Sequence, residues 1–332
     1  MTRSRRVVLA AVPTGMPQES DFRVEDSPMP ECPEHGMVVK TLWISVDPYL
    51  RGRMTGIRTY IDPIPIGGVM ESLAVGQVVQ SRAAGFIEGD VVTGLWGWQD
   101  YAAVMGTRVQ FVDERIAPAS AYIGILGMPG MTAYFGLLDI CEPKSGETLV
   151  VSGAAGAVGS AVGQIGKIRG CRVIGTAGSK EKCEYILSLG FDGALNYRID
   201  QPYDEALRRL CPDGIDCYFD NVGGEVTDAV FELLNVGARV SVCGQISQYN
   251  DRSKDVGPRP FWTMIAKQVR AQGFLVSRWT GRYPEAQQQM AAWLHEGKLK
   301  FHETVYEGLE SAPRAFIGLF RGENVGKAVV RV

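Results

Sequence analysis

The residues best suited to chemistry form one run, Leu149-Val-Val-Ser-Gly-Ala-Ala-Gly-Ala-Val-Gly-Ser160. An apolar stretch leads into Ala154-x-Gly156-x-x-Gly159, and a helical pattern opens immediately after it. Glycine at 156 lets a ligand approach the backbone, and glycine at 159 lets the new helix pack against the strand. The helix N-terminus adds free N–H groups, so the run meets the requirements of a dinucleotide pyrophosphate. Gly156, Ala157, Val158 and Gly159 are the expected contacts. A glycine-rich turn of no ligand significance is the bland alternative. It leaves unexplained why strand–helix units continue beyond the run.

An NAD site places Asp or Glu about 20 residues past the first glycine, on the ribose 2′-hydroxyl. The stretch Arg172-Val-Ile-Gly-Thr-Ala-Gly-Ser179 has no carboxylate there, and Lys180 and Lys182 follow the small Gly178 and Ser179. An ammonium attracts a 2′-phosphate that a carboxylate would repel. NADP(H) is therefore expected rather than NAD(H), although both lysines could simply be solvated.

The elements that must position these groups fall into two textures. Up to about residue 115, short apolar runs (7–11, 37–46, 76–79, 90–95, 101–104, 108–111) alternate with turn residues, which indicates an all-β unit. From Glu147, strands over 148–152, 172–176, 194–197, 216–220, 239–243 and 271–276 alternate with helices over 157–169, 180–189, 204–210, 226–234 and 261–269. Strands with crossover helices make a doubly wound parallel sheet, hence an α/β fold. A helix over 285–295, a strand near 301–306, a helix over 312–320 and a last strand over 327–332 exceed that count. They are expected to fold back onto the β-rich half. The expected division is 1–122, 123–284 and a return segment 285–332.

Composition narrows the classes. A length of 332 residues suggests two domains at about 150 residues each. With 34 Lys+Arg against 37 Asp+Glu, nothing in the charge favours a nucleic-acid partner. The uncharged stretches 116–138 and 148–166 have the length of membrane spans, but Pro118, Pro129 and repeated glycines break them and no aromatic belt ends them. No membrane partner is expected. Seven cysteines without a C-x-x-C pair point to a reducing, cytoplasmic setting. Glycine is in excess, 40 of 332 residues against a usual share of about 7%, and has no period.

Five motifs occur together and in order: Asp47-Pro-Tyr-Leu-Arg-Gly-Arg-Met54, Gly127-Met-Pro-Gly-Met-Thr-Ala-Tyr134, the glycine run with Gly178-Ser-Lys-Glu-Lys182, Phe219-Asp-Asn-Val-Gly-Gly-Glu225, and Cys243-Gly-Gln-Ile-Ser-Gln-Tyr-Asn250. With them the chain resembles the zinc-free medium-chain dehydrogenases/reductases of the leukotriene B4 12-hydroxydehydrogenase / prostaglandin reductase group, which includes bacterial curcumin reductase and plant double-bond reductases. The resemblance covers nearly the whole chain. It implies a GroES-like catalytic domain plus a Rossmann domain, NADPH, reduction of the C=C bond of α,β-unsaturated aldehydes or ketones, and often a homodimer.

The resemblance also assigns residues. It implies that Lys182 and Tyr197 hold the 2′-phosphate near Gly178, that Asn221 lies under the cofactor, and that Cys243, Gly244, Ile246, Ser247 and Tyr249 follow the ribose and pyrophosphate. Phe274, Leu275 and Val276 would contact the nicotinamide amide, and Asn324 would reach the cofactor from the tail. Thr132 either contacts the nicotinamide side or is only a helix-start residue. Tyr249 is the catalytic candidate: a phenol of ordinary pKa about 10 is protonated at neutral pH and can stabilise negative charge on a substrate carbonyl oxygen. It is equally readable as a binding group alone. Tyr49 is the second catalytic candidate, at the pocket unless its turn is merely solvated. No metal is expected, since His35, His295 and His302 are dispersed and no Cys stands in 45–47 or 90–111. The rival functions are an NADPH:quinone reductase and a non-catalytic NADPH-binding protein.

Overall fold

Alternation of buried and exposed residues makes the first region β-rich. In the computed structural model, which describes residues 4–251 and 256–332, the chain divides into two units, residues 1–124 with 303–332 and residues 125–302. The first unit holds a two-stranded antiparallel pair, Ser4–Leu9 with Phe22–Ser27. Its seven-stranded sheet runs Glu303–Glu307, Lys327–Arg331, Gly36–Ser45, Leu73–Ser81, Val91–Leu95, Val109–Phe111, with Tyr101–Met105 also pairing to Gly36–Ser45. Inward residues Val7, Leu9, Ile44, Leu50, Trp98, Phe316 and Val330 form one core cluster. The Trp98 indole N–H finds the Ser72 hydroxyl at 3.1 Å, so burying that ring leaves no polar group unpaired.

The second unit is a Rossmann sheet. Its six strands lie in the order Gly193–Asn196, Arg172–Ala177, Thr148–Val151, Ile215–Asp220, Leu234–Val242, Arg270–Gly273, and all pairs are parallel. Thr148–Val151 is buried throughout, as a central parallel strand covered on both faces must be. Strand order reverses between Thr148–Val151 and Ile215–Asp220, and ligands of such sheets bind at the carboxyl ends of the strands at that switch.

Three expectations shift. The boundary expected at 284/285 stands at 302/303. The helix Tyr283–His295 belongs to the second unit, burying Ala286, Met290 and Trp293, with the Trp293 ring 6.0 Å from that of Tyr134. The strand expected at 239 begins at Leu234, taking the end of the expected helix. The last strand stops at Gly273, where its pairing with Val242 ends, so 274–276 leave the sheet and lead into the turn Val276–Arg282. Among the described residues no helix is long and apolar enough to cross a membrane. The uncharged stretch 116–138 is instead broken into Ala119–Ile123 and Met128–Phe135, with a wider π turn from Gly136.

Candidate active site

The strand Thr148–Val151 ends at Ser152, and the chain turns at Gly153 with φ of 59°. The helix Ala157–Ile168 then opens at Gly156 with no side chain capping it. Its first N–H groups, on Ala157, Val158 and Gly159, therefore need an acceptor from outside the helix. A Cβ at Gly159 would overlap the Gly153 carbonyl. Glycine there is a condition of the helix lying this close to the strand end.

A second cluster forms at the end of the neighbouring strand. The Ser179 hydroxyl accepts from the Lys182 backbone N–H at 3.2 Å and so caps the helix Lys180–Ser188. Tyr197 places its hydroxyl against Gly178, where a Cβ would overlap it. Lys182 is half-buried, whereas Lys180 is exposed and faces Glu184 at 3.7 Å. Burial, and after it the nearby Arg198 cation, pull the Lys182 ammonium below the usual lysine range. The structure thus separates the two lysines and adds Arg198. Sequence reasoning passed over that arginine because it sits just past a strand end with no motif around it.

A third cluster hangs from the strand Ile215–Asp220. The Asn221 amide donates to the Ser152 carbonyl at 2.8 Å, and the Asn221 backbone N–H to the Ser152 hydroxyl at 2.8 Å. The stretch after Val242 is bound to this strand end: Cys243 and Gly244 N–H to the Asp220 carbonyl (2.8 and 3.1 Å), Ile246 N–H to Asn221 (3.4 Å), Ser247 N–H to Val222 (3.2 Å). The Ser247 hydroxyl adds a bond of 2.6 Å to the Val222 carbonyl. Tyr249, half-buried, brings its hydroxyl back over Gly244, 3.1 Å from where a Cβ would stand. Burial, then Asp220, push the Cys243 thiol up to about 12, so it is neutral and unreactive at physiological pH. Asp220 and Ser152 were not among the sequence candidates. An acid closing a buried strand was their only signal.

The remaining candidates are placed as follows. The Thr132 hydroxyl is used inside the helix Met128–Phe135, donating to the Met128 carbonyl at 2.7 Å, and Gly127 rather than Thr132 is the helix cap. Phe274 packs against Gly136 and its ring lies 5.6 Å from Trp279, while Leu275 is exposed and Val276 opens a turn. Tyr49 and Asn324 lie in the first unit. Tyr49 precedes the short helix Leu50–Arg53, and burial followed by the Asp47 charge raises its phenol far above the ordinary value, so it keeps its proton. The Asn324 amide donates to the Gly326 carbonyl at 2.8 Å, within its own turn.

Two family profiles match the chain: "N-terminal domain of oxidoreductase" over residues 5–112 and "Zinc-binding dehydrogenase" over residues 157–294. The donors present do not fit the ion in the second description. Among the described residues no three His, Cys, Asp or Glu side chains come together to hold a metal. Asp47 and Glu71 face Lys327 at 3.4 Å and Arg53 at 3.0 Å, respectively. The chain is 45% identical to the NADPH-dependent curcumin reductase of Escherichia coli, covering 99% of this chain and 97% of that protein. It is 43% identical to the NADP(+)-dependent 2-alkenal reductase of Nicotiana tabacum, with 99% and 97% covered. The crystal structure of CurA in complex with NADPH from Vibrio vulnificus superposes with a TM-score of 0.94 at 44% identity, covering 99% of each chain. By its two-domain fold and these full-length likenesses, the chain belongs to the medium-chain dehydrogenases/reductases, in the enone reductase group that holds curcumin reductase and 2-alkenal reductase.

Proposed function

We propose that this chain is an NADP-dependent oxidoreductase that reduces the C=C bond of α,β-unsaturated aldehydes and ketones, with the carbonyl oxygen hydrogen-bonded by Tyr249. The observation that carries the reading is the loop 243–249, bound along the end of a central strand at the switch point with the Tyr249 hydroxyl folded over Gly244. NADPH, when bound, supplies the hydride for the β-carbon. Gly156, Ala157, Val158 and Gly159 would take its pyrophosphate. Gly178, Lys182 and Tyr197 would take the 2′-phosphate, with Arg198 adding charge nearby. Asn221, Cys243, Gly244, Ile246 and Ser247 would line the nicotinamide half, with Phe274, Leu275 and Val276 beyond. Tyr249 would donate to the carbonyl oxygen as negative charge gathers there, which lowers the barrier to hydride arrival. Tyr49, its proton held, would be a second donor, and Thr132 and Asn324 would contact the cofactor as the resemblance implies, since a hydroxyl that donates can still accept and an amide using one N–H keeps a second N–H and its oxygen.

The reading includes a homodimer in a reducing, cytoplasmic compartment. Among the described residues Arg270–Gly273 is an edge strand, and Phe261, Trp262 and Ile265 in the helix that precedes it in sequence are 65%, 76% and 70% exposed. An open edge flanked by apolar side chains is protected by pairing with a second copy. All seven cysteines are free. Sedimentation of the wild type and of Trp262→Glu tests the dimer, the variant being expected as monomer. The activity is tested by following NADPH oxidation with a 2-alkenal, an enone and a simple quinone, and by identifying the saturated carbonyl product. Turnover of the quinone alone would overturn the reading, as would cofactor binding without oxidation by any conjugated carbonyl.

A further inference from the structure

Asp220 ends the buried strand Ile215–Asp220 and is itself 2% exposed. Among the described residues its carboxylate accepts from neutral donors only. Onto Oδ1 converge the Ser152 hydroxyl (2.8 Å), the Tyr218 hydroxyl (2.9 Å) and the backbone N–H groups of Val222 (3.0 Å) and Gly223 (2.9 Å). Onto Oδ2 comes the Thr227 hydroxyl at 3.0 Å. The distribution is informative. The crowded oxygen holds the end of the neighbouring strand through Ser152 and, through Val222 and Gly223, a turn in which Gly223 and Gly224 have φ of 72° and 67°. That turn is conformationally costly to order, because glycine has the most freedom to lose. The backbone it fixes is the same backbone whose carbonyls, at 220, 221 and 222, bind Cys243, Gly244, Ile246 and Ser247.

We infer that Asp220 is a positioning residue: its Oδ1 clamps the two strand ends and the 221–223 turn into one frame, and that frame sets the place of the loop 243–249 and of Tyr249. The inference rests on the proposed function for what the loop binds. Asp220 acts only through other residues, the chain of contacts being Asp220 to Val222 and Gly223, then their carbonyl neighbours to the loop, then Tyr249. The adenosine end would be held elsewhere, at Gly178, Lys182 and Tyr197, whose own contacts do not involve Asp220. Loss of the clamp should therefore disturb one half of the cofactor site and spare the other.

The test compares the affinities of wild type, Asp220→Ala and Asp220→Asn for NADPH and for adenosine 2′,5′-bisphosphate, which carries the adenosine half alone. Melting temperature and kcat with an enone at saturating NADPH are measured alongside. Asparagine can keep its oxygen at the Oδ1 place and turn its amide toward Thr227, which can accept, so it retains most of the clamp. Asp220→Ala is expected to weaken NADPH about tenfold or more, through the unpaired buried donors it leaves. It should lower kcat about a hundredfold, the cost of a small misplacement of reacting groups. The bisphosphate affinity should stay within about twofold, and Asp220→Asn should recover most of the loss, as expected when the acceptor rather than the charge matters. Parallel weakening of NADPH and bisphosphate would overturn the inference, as would an Asp220→Asn enzyme as impaired as Asp220→Ala. If Asp220→Ala does not fold, Ser152→Ala takes its place, expected to weaken NADPH and lower kcat but not to affect the bisphosphate, while Asp220→Asn is expected to stay near wild type. A wild type that binds neither ligand overturns the proposed function instead.

Discussion

Replacing Lys182 by alanine should convert a preference for NADPH into near indifference between NADPH and NADH. The ammonium stands at the third position of the helix Lys180–Ser188, whose cap, the Ser179 hydroxyl, binds the backbone of residue 182 and not its side chain. Alanine leaves that cap intact and suits a helix. A hydrogen bond to a charged group contributes about 1.5–3 kcal/mol. Because Lys182 is half-buried, the lower part of that range applies. A loss of about 1.5–2 kcal/mol corresponds to about ten- to thirtyfold in NADPH affinity, with NADH unchanged. Stability should respond in the other direction. Burial and Arg198 lower the native pKa of Lys182. The unfolded chain therefore holds its proton more tightly between that lowered value and the ordinary value of about 10.4, and stability contributed by this group rises with pH over that window. At neutral pH the charged ammonium is a cost to the free protein, so Lys182→Ala should not lower its melting temperature, while the extra melting temperature gained on adding NADPH should shrink. In the wild type, NADPH affinity should fall as pH rises through the lowered pKa, earlier than an ordinary lysine would dictate. Fluorescence titration with both cofactors, together with thermal melts, reads all of this. Equal weakening of NADPH and NADH would refute the placement of the 2′-phosphate at Lys182, and a drop in the melting temperature of the free protein would refute the cost assigned to its buried ammonium.

Tyr249→Phe should reduce kcat with an enone by about a hundredfold or more, the usual cost of losing a donor to a developing oxyanion, with NADPH affinity little changed. Steady-state kinetics decide it, and an unchanged kcat leaves Tyr249 as a binding group. Gly159→Val places side-chain carbon onto the Gly153 carbonyl. It should destabilise the protein by about 1–3 kcal/mol and weaken NADPH binding, which urea unfolding and titration measure. Lys327 donates to the carbonyls of Val46 and Ala328 at 2.7 Å each and faces Asp47, all buried. Lys327→Met strands the Asp47 charge and should cost about 3–5 kcal/mol in urea unfolding, with Asp47→Leu in the same chain restoring part of it.

What could be read along the chain was whatever depends on near neighbours. The run from Leu149 to Ser160 announces strand, turn and helix because glycine positions and periodicities of two and 3.6 are local requirements. The missing acid after the strand Arg172–Ala177, with Lys182 just beyond, is legible for the same reason. Strand ends fall a few residues from where the local pattern puts them when pairing decides them. Arg270–Gly273 stops where its pairing with Leu234–Val242 ends, and no feature of Phe274 or Leu275 says so.

The sequence by itself determined the class of the second unit and the glycines on which a dinucleotide would lie, because those rest on backbone conformations that only certain residues adopt. Tertiary structure alone decided the rest. It brought Ser152 and Asp220, 68 positions apart, to one hydrogen bond by setting their strands side by side. It joined Lys327 to Asp47 across nearly the length of the chain. It also kept the helix Tyr283–His295 with the second unit, where Trp293 is buried, rather than with the returning tail. Each of these is a contact between residues whose own neighbours in sequence carry no trace of the partner. Burial in a shared core selects the partner, and burial is a property of the assembled layers rather than of any segment.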